Sequence, residues 1–176
     1  KRIFFGRNAI ELRGAGPSDT RFGAMVSIRE YPAQTGPGSF DNLLRVPHEI
    51  IATQSFAIVD RPEAAKQIER VSRQVDMSDE AGSIVAEHLD AARDELLASE
   101  AIYGEHHMTV MCLGRDLPEV GAAVTAVGAA LTDRSVIWVR EDLNCEPAFW
   151  AQLPGNFGYV ARKSILSSKN FAGLTS

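Results

Sequence analysis

Leu117, Val120, Val124, Val127 and Leu131 recur at steps of three, four, three and four residues. Only an α-helix turns at a rate that stacks such positions on one side, so the segment predicts an amphipathic helix with one apolar stripe. A stripe of this kind needs a flat apolar surface to cover. The neighbouring sequence supplies it, because Gly104–Leu113 and Ser135–Arg140 are apolar runs of strand length on either side of the helix. Asp116 with Glu119 forms a capping box at the helix start. Gly121 and Gly128 inside the helix read as points of close packing.

The remaining elements fit around this unit. Arg21–Tyr31 alternates Phe22, Ala24, Val26 and Ile28 with Arg21, Ser27 and Arg29, the period of a half-buried strand. His48–Val59 is apolar on both faces, which predicts a strand interior to the sheet. Ser39–Arg45 reads as a helical turn after the loop Gln34–Gly38. Pro62 opens a long helical region with Ile68, Val71 and Val75 on one stripe. Val85, Leu89, Ala92 and Leu96 resume a stripe after Met77–Gly82, where Ser78 or Asp79 would cap a fresh helix, so two consecutive helices or one bent helix are expected. Asn144 caps a short last helix through Gln152, which Pro154-Gly155 ends. Asn156–Ser176 has no sustained period and reads as an extended tail. The expected fold is α+β: about four strands in a mixed or antiparallel sheet, covered mainly on one face by helices. Residues 1–176 form a single domain, of which 156–176 is the tail.

Composition excludes several classes. The chain has 176 residues, 45% apolar and 23% charged, which suits one globular domain. No run approaches the ~20 apolar residues of a membrane span, and no signal peptide opens the chain. Cys112 and Cys145 make no disulfide framework, and a reducing compartment fits. The net charge of −5 argues against a general nucleic-acid binder. Eleven acids against five bases between Asp60 and Glu100 account for that balance, while Arg162, Lys163 and Lys169 leave the last 26 residues basic. An acidic stretch of helix reads first as a solvated face.

Catalytic chemistry is sparse. The loop Gly14–Thr20 has glycines and hydroxyls but no lysine to reach a phosphate, so no P-loop is present. Glu105-His106-His107 is the densest cluster of possible metal ligands, yet neighbouring strand residues point to opposite faces and cannot easily share an ion. Cys112 lies in an apolar run. Cys145 opens a helix, where a thiolate is favoured, but no base stands near it in sequence. Phe149, Trp150, Phe157, Tyr159 and Phe171 crowd the last third of the chain beside Arg162 and Lys163. Such a mixture stacks on nucleic-acid bases in some proteins, and more often packs a tail onto its own or a neighbouring domain. No catalytic residue, bound cofactor or metal is assigned to this chain.

The tail also carries a resemblance. Phe149-Trp150-Ala151-Gln152-Leu153-Pro154-Gly155-Asn156-Phe157, followed by Tyr159, Arg162 and Ser167-Ser168-Lys169-Asn170-Phe171-Ala172, resembles a signature of the CagE/TrbE/VirB family of type IV secretion and conjugation ATPases. Arg21–Met25 with Arg29–Pro32, Thr53–Phe56, Gly104–His107 and Arg140–Leu143 match the same family in the same order. The resemblance spans residues 20 to 176, and the first nineteen residues add little to it.

What the resemblance implies is an N-terminal, non-motor part of a larger ATPase that energises pilus assembly and export of DNA or protein. With no initiator Met, the chain itself reads as a piece of something longer. ATP and Mg would belong to a motor domain outside this chain. The implied location is cytoplasmic, at the inner-membrane face of a bacterial secretion channel. The implied partners are inner-membrane and cytoplasmic components of the secretion system, the motor domain, and sister subunits of a homo-oligomer. Direct nucleic-acid contact is not supported. Asn156, Phe157, Tyr159, Arg162, Lys163 and Phe171 are the candidate interface residues, with the segment beyond Arg162 expected to be partly exposed when the motor is absent. The rival readings are a domain that grips DNA or an effector, and a small-molecule-binding α+β domain.

Overall fold

Seven strands pair into one sheet in a computed structural model that describes residues 2–32, 35–76, 91–96, 98 and 101–175. They are β1 (Arg2–Phe5), β2 (Ile10–Arg13), β3 (Arg21–Glu30), β4 (Ile50–Ile58), β5 (Tyr103–Gly114), β6 (Ile137–Arg140) and β7 (Ser164–Ser167). The helices are α1 (Asp41–Leu44), α2 (Arg61–Asp76), α3 (Leu117–Thr132), α4 (Cys145–Ala151) and α5 (Ser168–Thr175), and residues 91–96 are also helical. The main path runs β1-β2-β3-β5-β4, with β6 added to β3 and β7 to β5. Every pairing is antiparallel. The class is α+β as expected, with a larger sheet. The strands absent from the sequence reading are β1, β2 and β7, each four residues long; β6 is as short, but the apolar run Val136–Val139 marks it.

The helix predicted from the 3-4-3-4 spacing is α3, and it covers one face of the sheet. Val120, Val124, Val127 and Leu131 are buried against Ala24, Val26, Met108, Val110 and Cys112. Leu117 departs from the expectation and is 53% exposed. It is the first residue of α3, just past the end of β5 at Gly114, so its side chain lies beyond the sheet surface. Gly128 is a close-packing point, since a Cβ there would meet Trp138 Cζ2 at 2.1 Å, whereas Gly121 faces open space. The capping box is shifted by one residue on one side. Asp116 Oδ1 accepts from the Glu119 amide at 2.8 Å, but the Glu119 carboxylate accepts from the Arg115 amide at 2.7 Å.

The other face of the sheet carries a smaller core, where Ile10, Met25, Met111 and Leu113 pack against Cys145 and Ala148 of α4. Asn144 precedes α4 but makes no side-chain capping bond. A third cluster joins Ala64 and Ile68 of α2 to Leu96, Ala101 and Tyr103, with Ala92 packed beside them. The Val71 and Val75 side chains, the expected break at Met77–Gly82 with its caps Ser78 and Asp79, and Val85 and Leu89 lie outside the described residues.

Two expectations are corrected. The strand read as interior, β4, stands at the end of the sheet path, and the interior place belongs to β5. Phe56 packs against the main core, while Ile51 and Ala57 on the opposite face remain exposed, so apolar character on both faces did not mean burial on both. The segment 156–176 is extended only in part: a 3₁₀ turn at Phe157–Tyr159 leads into β7, and α5 follows. Leu166 and Leu174 enter the main core, which explains why this segment is rich in apolar residues. Among the described residues no helix is long and apolar enough to cross a membrane.

Candidate interaction surface

Five of the six candidate residues follow α4 on the side of the sheet that α4 only partly covers. Gly155, at φ +88°, makes the turn that ends this helix, and Asn156 Nδ2 donates to the Trp150 carbonyl at 3.1 Å. The next three residues form the 3₁₀ turn, which leaves Phe157 66% and Tyr159 48% exposed. The segment is then pinned from below. Arg162 grips Glu141 through Nε to Oε1 at 2.6 Å and Nη2 to Oε2 at 3.2 Å, and Lys163 Nζ reaches Glu105 Oε2 at 2.8 Å. Glu141 is 2% exposed, so the guanidinium supplies the counter-charge its buried carboxylate needs. That bond in turn raises the Arg162 pKa above the usual guanidinium value.

Beneath the turn, His107, Glu105, Lys163, Ser55 and Phe157 line a hollow of about 70 Å³. Burial lowers the His107 pKa below that of a free imidazole, Lys163 adds to the effect and Glu141 opposes it. The hollow is too small for a nucleotide or a drug-sized ligand, which need several hundred Å³.

Phe171 lies elsewhere. It stacks on Phe56 with ring centroids 4.6 Å apart and planes 15° from parallel, and His106 lies 5.4 Å away. His106 and His107 are successive residues of β5, so the pleat sends them to opposite faces and they do not converge. His106 Nε2 is 3.0 Å from Gln54 Oε1, and Nδ1 is 2.5 Å from Tyr31 Oη. The Gln54 oxygen only accepts, so Nε2 carries a hydrogen. Burial brings the ring's pKa down to about 4, which keeps it neutral, and Nδ1 then accepts from the Tyr31 hydroxyl. Gln54 continues the network by donating from Nε2 to the Leu174 carbonyl at 3.4 Å, tying α5 to β4. This network anchors the tail and presents no open ligand position.

Both thiols are buried. Burial raises the thiol pKa of Cys112 to about 12 and raises that of Cys145 as well, so neither is poised as a nucleophile. The Gly14–Thr20 loop does not suit a phosphate. The Asp19 carboxylate accepts from the Gly16 amide at 3.2 Å, placing a negative charge where a phosphate cradle would need backbone donors. Among the described residues no three His, Cys, Asp or Glu side chains cluster as metal ligands. Sequence reasoning named Arg162 but missed its partner. Glu141 belongs to a quoted motif, yet a separation of 21 residues carries no periodic sign of pairing.

The described residues form an antiparallel α+β domain that carries a pinned, aromatic-bearing turn. The chain belongs to the CagE, TrbE, VirB family, a component of type IV transporter systems, whose model matches residues 1–162. That match includes the first nineteen residues, which add little to the motif resemblance. The chain is 37% identical over 174 residues to the type IV secretion system protein virB4 of Bartonella henselae, covering 99% of this chain and 22% of that protein. It is 33% identical to the protein virB4 of Rhizobium radiobacter over 99% of this chain and 22% of the relative. The type IV secretion system protein PtlC of Bordetella pertussis is 32% identical over 99% of this chain and 21% of its own length. The chain thus spans about a fifth of the length of these curated relatives.

Proposed function

We propose that this chain is the N-terminal, non-motor domain of a type IV secretion ATPase and that it docks the motor to inner-membrane components of the channel or to sister subunits. The observation that carries the reading is the turn at Phe157–Tyr159. Its two aromatic side chains stay exposed although the segment is held on both sides, by Asn156 on Trp150 and by Arg162 on Glu141. A rigidly held pair of exposed aromatics is the usual anchor of a protein contact. Arg162 and Lys163 form the polar rim, and the motor domain is a further neighbour of this surface. ATP and Mg act in that motor domain, at the cytoplasmic face of the inner membrane. The tail's bases support a protein partner over DNA, because Arg162, Lys163 and Lys169 are each engaged by an acid.

The test is a double substitution, Phe157→Ala with Tyr159→Ala, in the longer parent protein. Co-purification with inner-membrane channel components should be lost while the melting temperature of the 176-residue chain is kept. Retained co-purification would overturn the assignment of this surface. Calorimetric titration of the chain with Mg-ATP should give no heat of binding, and micromolar affinity with turnover would overturn the non-motor reading.

A further inference from the structure

The outer edge of β4 is unusual for an exposed strand. Ile50–Ile58 reads Ile-Ile-Ala-Thr-Gln-Ser-Phe-Ala-Ile, nine residues without a charge, a proline or a glycine. Its register with β5 is continuous from Ile50↔Cys112 to Ile58↔Gly104, without a bulge. Natural sheets protect free edges with charges, prolines or bulges, and β4 has none of these. Among the described residues no strand pairs with this edge. Ile58 is 71% and Ile51 49% exposed.

The hydrogen-bond alternation says which groups face outward. The Leu113 amide donates to the Glu49 carbonyl and the Val59 amide to the Tyr103 carbonyl. Odd-numbered residues of β4 therefore turn their N–H and C=O groups toward β5, and Ile50, Ala52, Gln54, Phe56 and Ile58 turn theirs to the open edge. These five positions are symmetric about Gln54. An antiparallel copy placed on a two-fold axis through Gln54 pairs Ile50 with Ile58, Ala52 with Phe56, and Gln54 with itself. All outward groups are then used, in roughly ten backbone hydrogen bonds. On the face shared with His107, the same register sets Ile51 across from Ala57 and Thr53 across from Ser55. No like charges meet, although the chain as a whole carries −5.

We propose that two copies of this chain associate through β4, edge to edge and antiparallel with Gln54 on the axis, joining their sheets into one. The inference rests on the docking reading in one respect, since it names the sister subunit as a partner, but it uses the backbone edge of β4, which borders the hollow beneath Phe157, and not the Phe157 and Tyr159 rings.

Two double variants test it, both at exposed positions that face each other only in the dimer. Ile51→Lys with Ala57→Lys sets lysine against lysine at two symmetric places. Ile51→Glu with Ala57→Lys sets opposite charges there. Sedimentation of the 176-residue chain over a concentration series should show a dimer. The first variant should weaken its dissociation constant by roughly ten-fold or more, because like charges directly opposite are destabilising, and the second should restore it. Thr53→Cys with Ser55→Cys provides an independent measurement: under oxidation it should give a covalent dimer, since facing residues of a non-hydrogen-bonded pair lie within disulfide range. The chain's own Cys112 and Cys145 are buried and do not compete. A chain that stays monomeric, a dimer indifferent to both charge variants, or the absence of the covalent dimer would overturn the proposal. Ser55 and Ala57 border the hollow beneath Phe157, so the docking reading is tested separately by the Phe157→Ala, Tyr159→Ala variant, which leaves β4 unchanged.

Discussion

The Arg162 guanidinium meets the Glu141 carboxylate at two points, 2.6 Å and 3.2 Å apart, across the junction between the end of β6 and the approach to β7. The carboxylate is buried and the guanidinium is one-third exposed, so the pair is a fastening between the body of the sheet and the tail. The Glu141 amide is itself bound to the Met25 carbonyl at 2.8 Å, which fixes the acid to β3. The tail is therefore positioned by a charge that water cannot replace.

Removing the arginine should expose that dependence. Arg162→Ala leaves a buried carboxylate without its partner and should cost about 2–3 kcal/mol, seen as a lower urea midpoint. Arg162→Lys should recover only part of the loss, because an ammonium cannot make the two-point contact. An alanine variant as stable as the wild type would show that Glu141 is satisfied by other means.

The stripe on α3 should divide sharply. Val124→Asp puts an unpaired charge into the main core and should cost several kcal/mol, on the order of a small domain's whole stability. Leu117→Ala, at the exposed first residue, should stay within about 0.5 kcal/mol. Thermal melts of the two variants check the contrast, and equal losses would mean that Leu117 is covered.

Acid should loosen the tail's anchor. Burial lowers the His106 pKa from 6.5 to about 4, so the unfolded chain binds a proton more readily than the folded one between those values. Stability from this residue is fully present above pH 6.5 and is lost as pH falls toward 4. The lowered His107 value acts in the same direction. Urea midpoints measured from pH 7 to 4.5 should fall, and His106→Gln should flatten part of that slope. A slope unchanged by His106→Gln would mean that the imidazole is not held neutral.

The aromatic residues of the tail should separate by face. Phe171 belongs to the segment expected to be partly exposed, yet Phe171→Ala removes a ring stacked on Phe56 and should cost about 1–3 kcal/mol. Phe157→Ala should change stability by no more than about 0.5 kcal/mol. Denaturation curves of the two single variants give the answer, and the reverse order would show that the faces are misassigned.

Local order was legible from the residues alone wherever a period had room to repeat. The stripe of α3 specifies an element and the face it buries, because helix geometry acts over neighbouring residues. The alternation of β3 and the apolar run of β5 specify strands, but β3, read as half-buried, is covered on both faces, with Val26 in the main core and Met25 in the smaller one. The aromatic and glycine pattern after Phe149 likewise carried the family. Pairing across the chain was another matter. Nothing local tells β5 from β4 as the interior strand, since both are apolar on two faces and only the placement of β3 and β7 along β5 decides it. Nothing local joins Arg162 to Glu141 or Phe171 to Phe56, because these contacts depend on where the tail folds back. Four-residue strands such as β1 and β7 exist only through their partners: alone they are too short to hold a conformation. Tertiary structure therefore decided which side of the molecule each aromatic faces, and left Phe157 and Tyr159 open while closing Phe171 against the sheet.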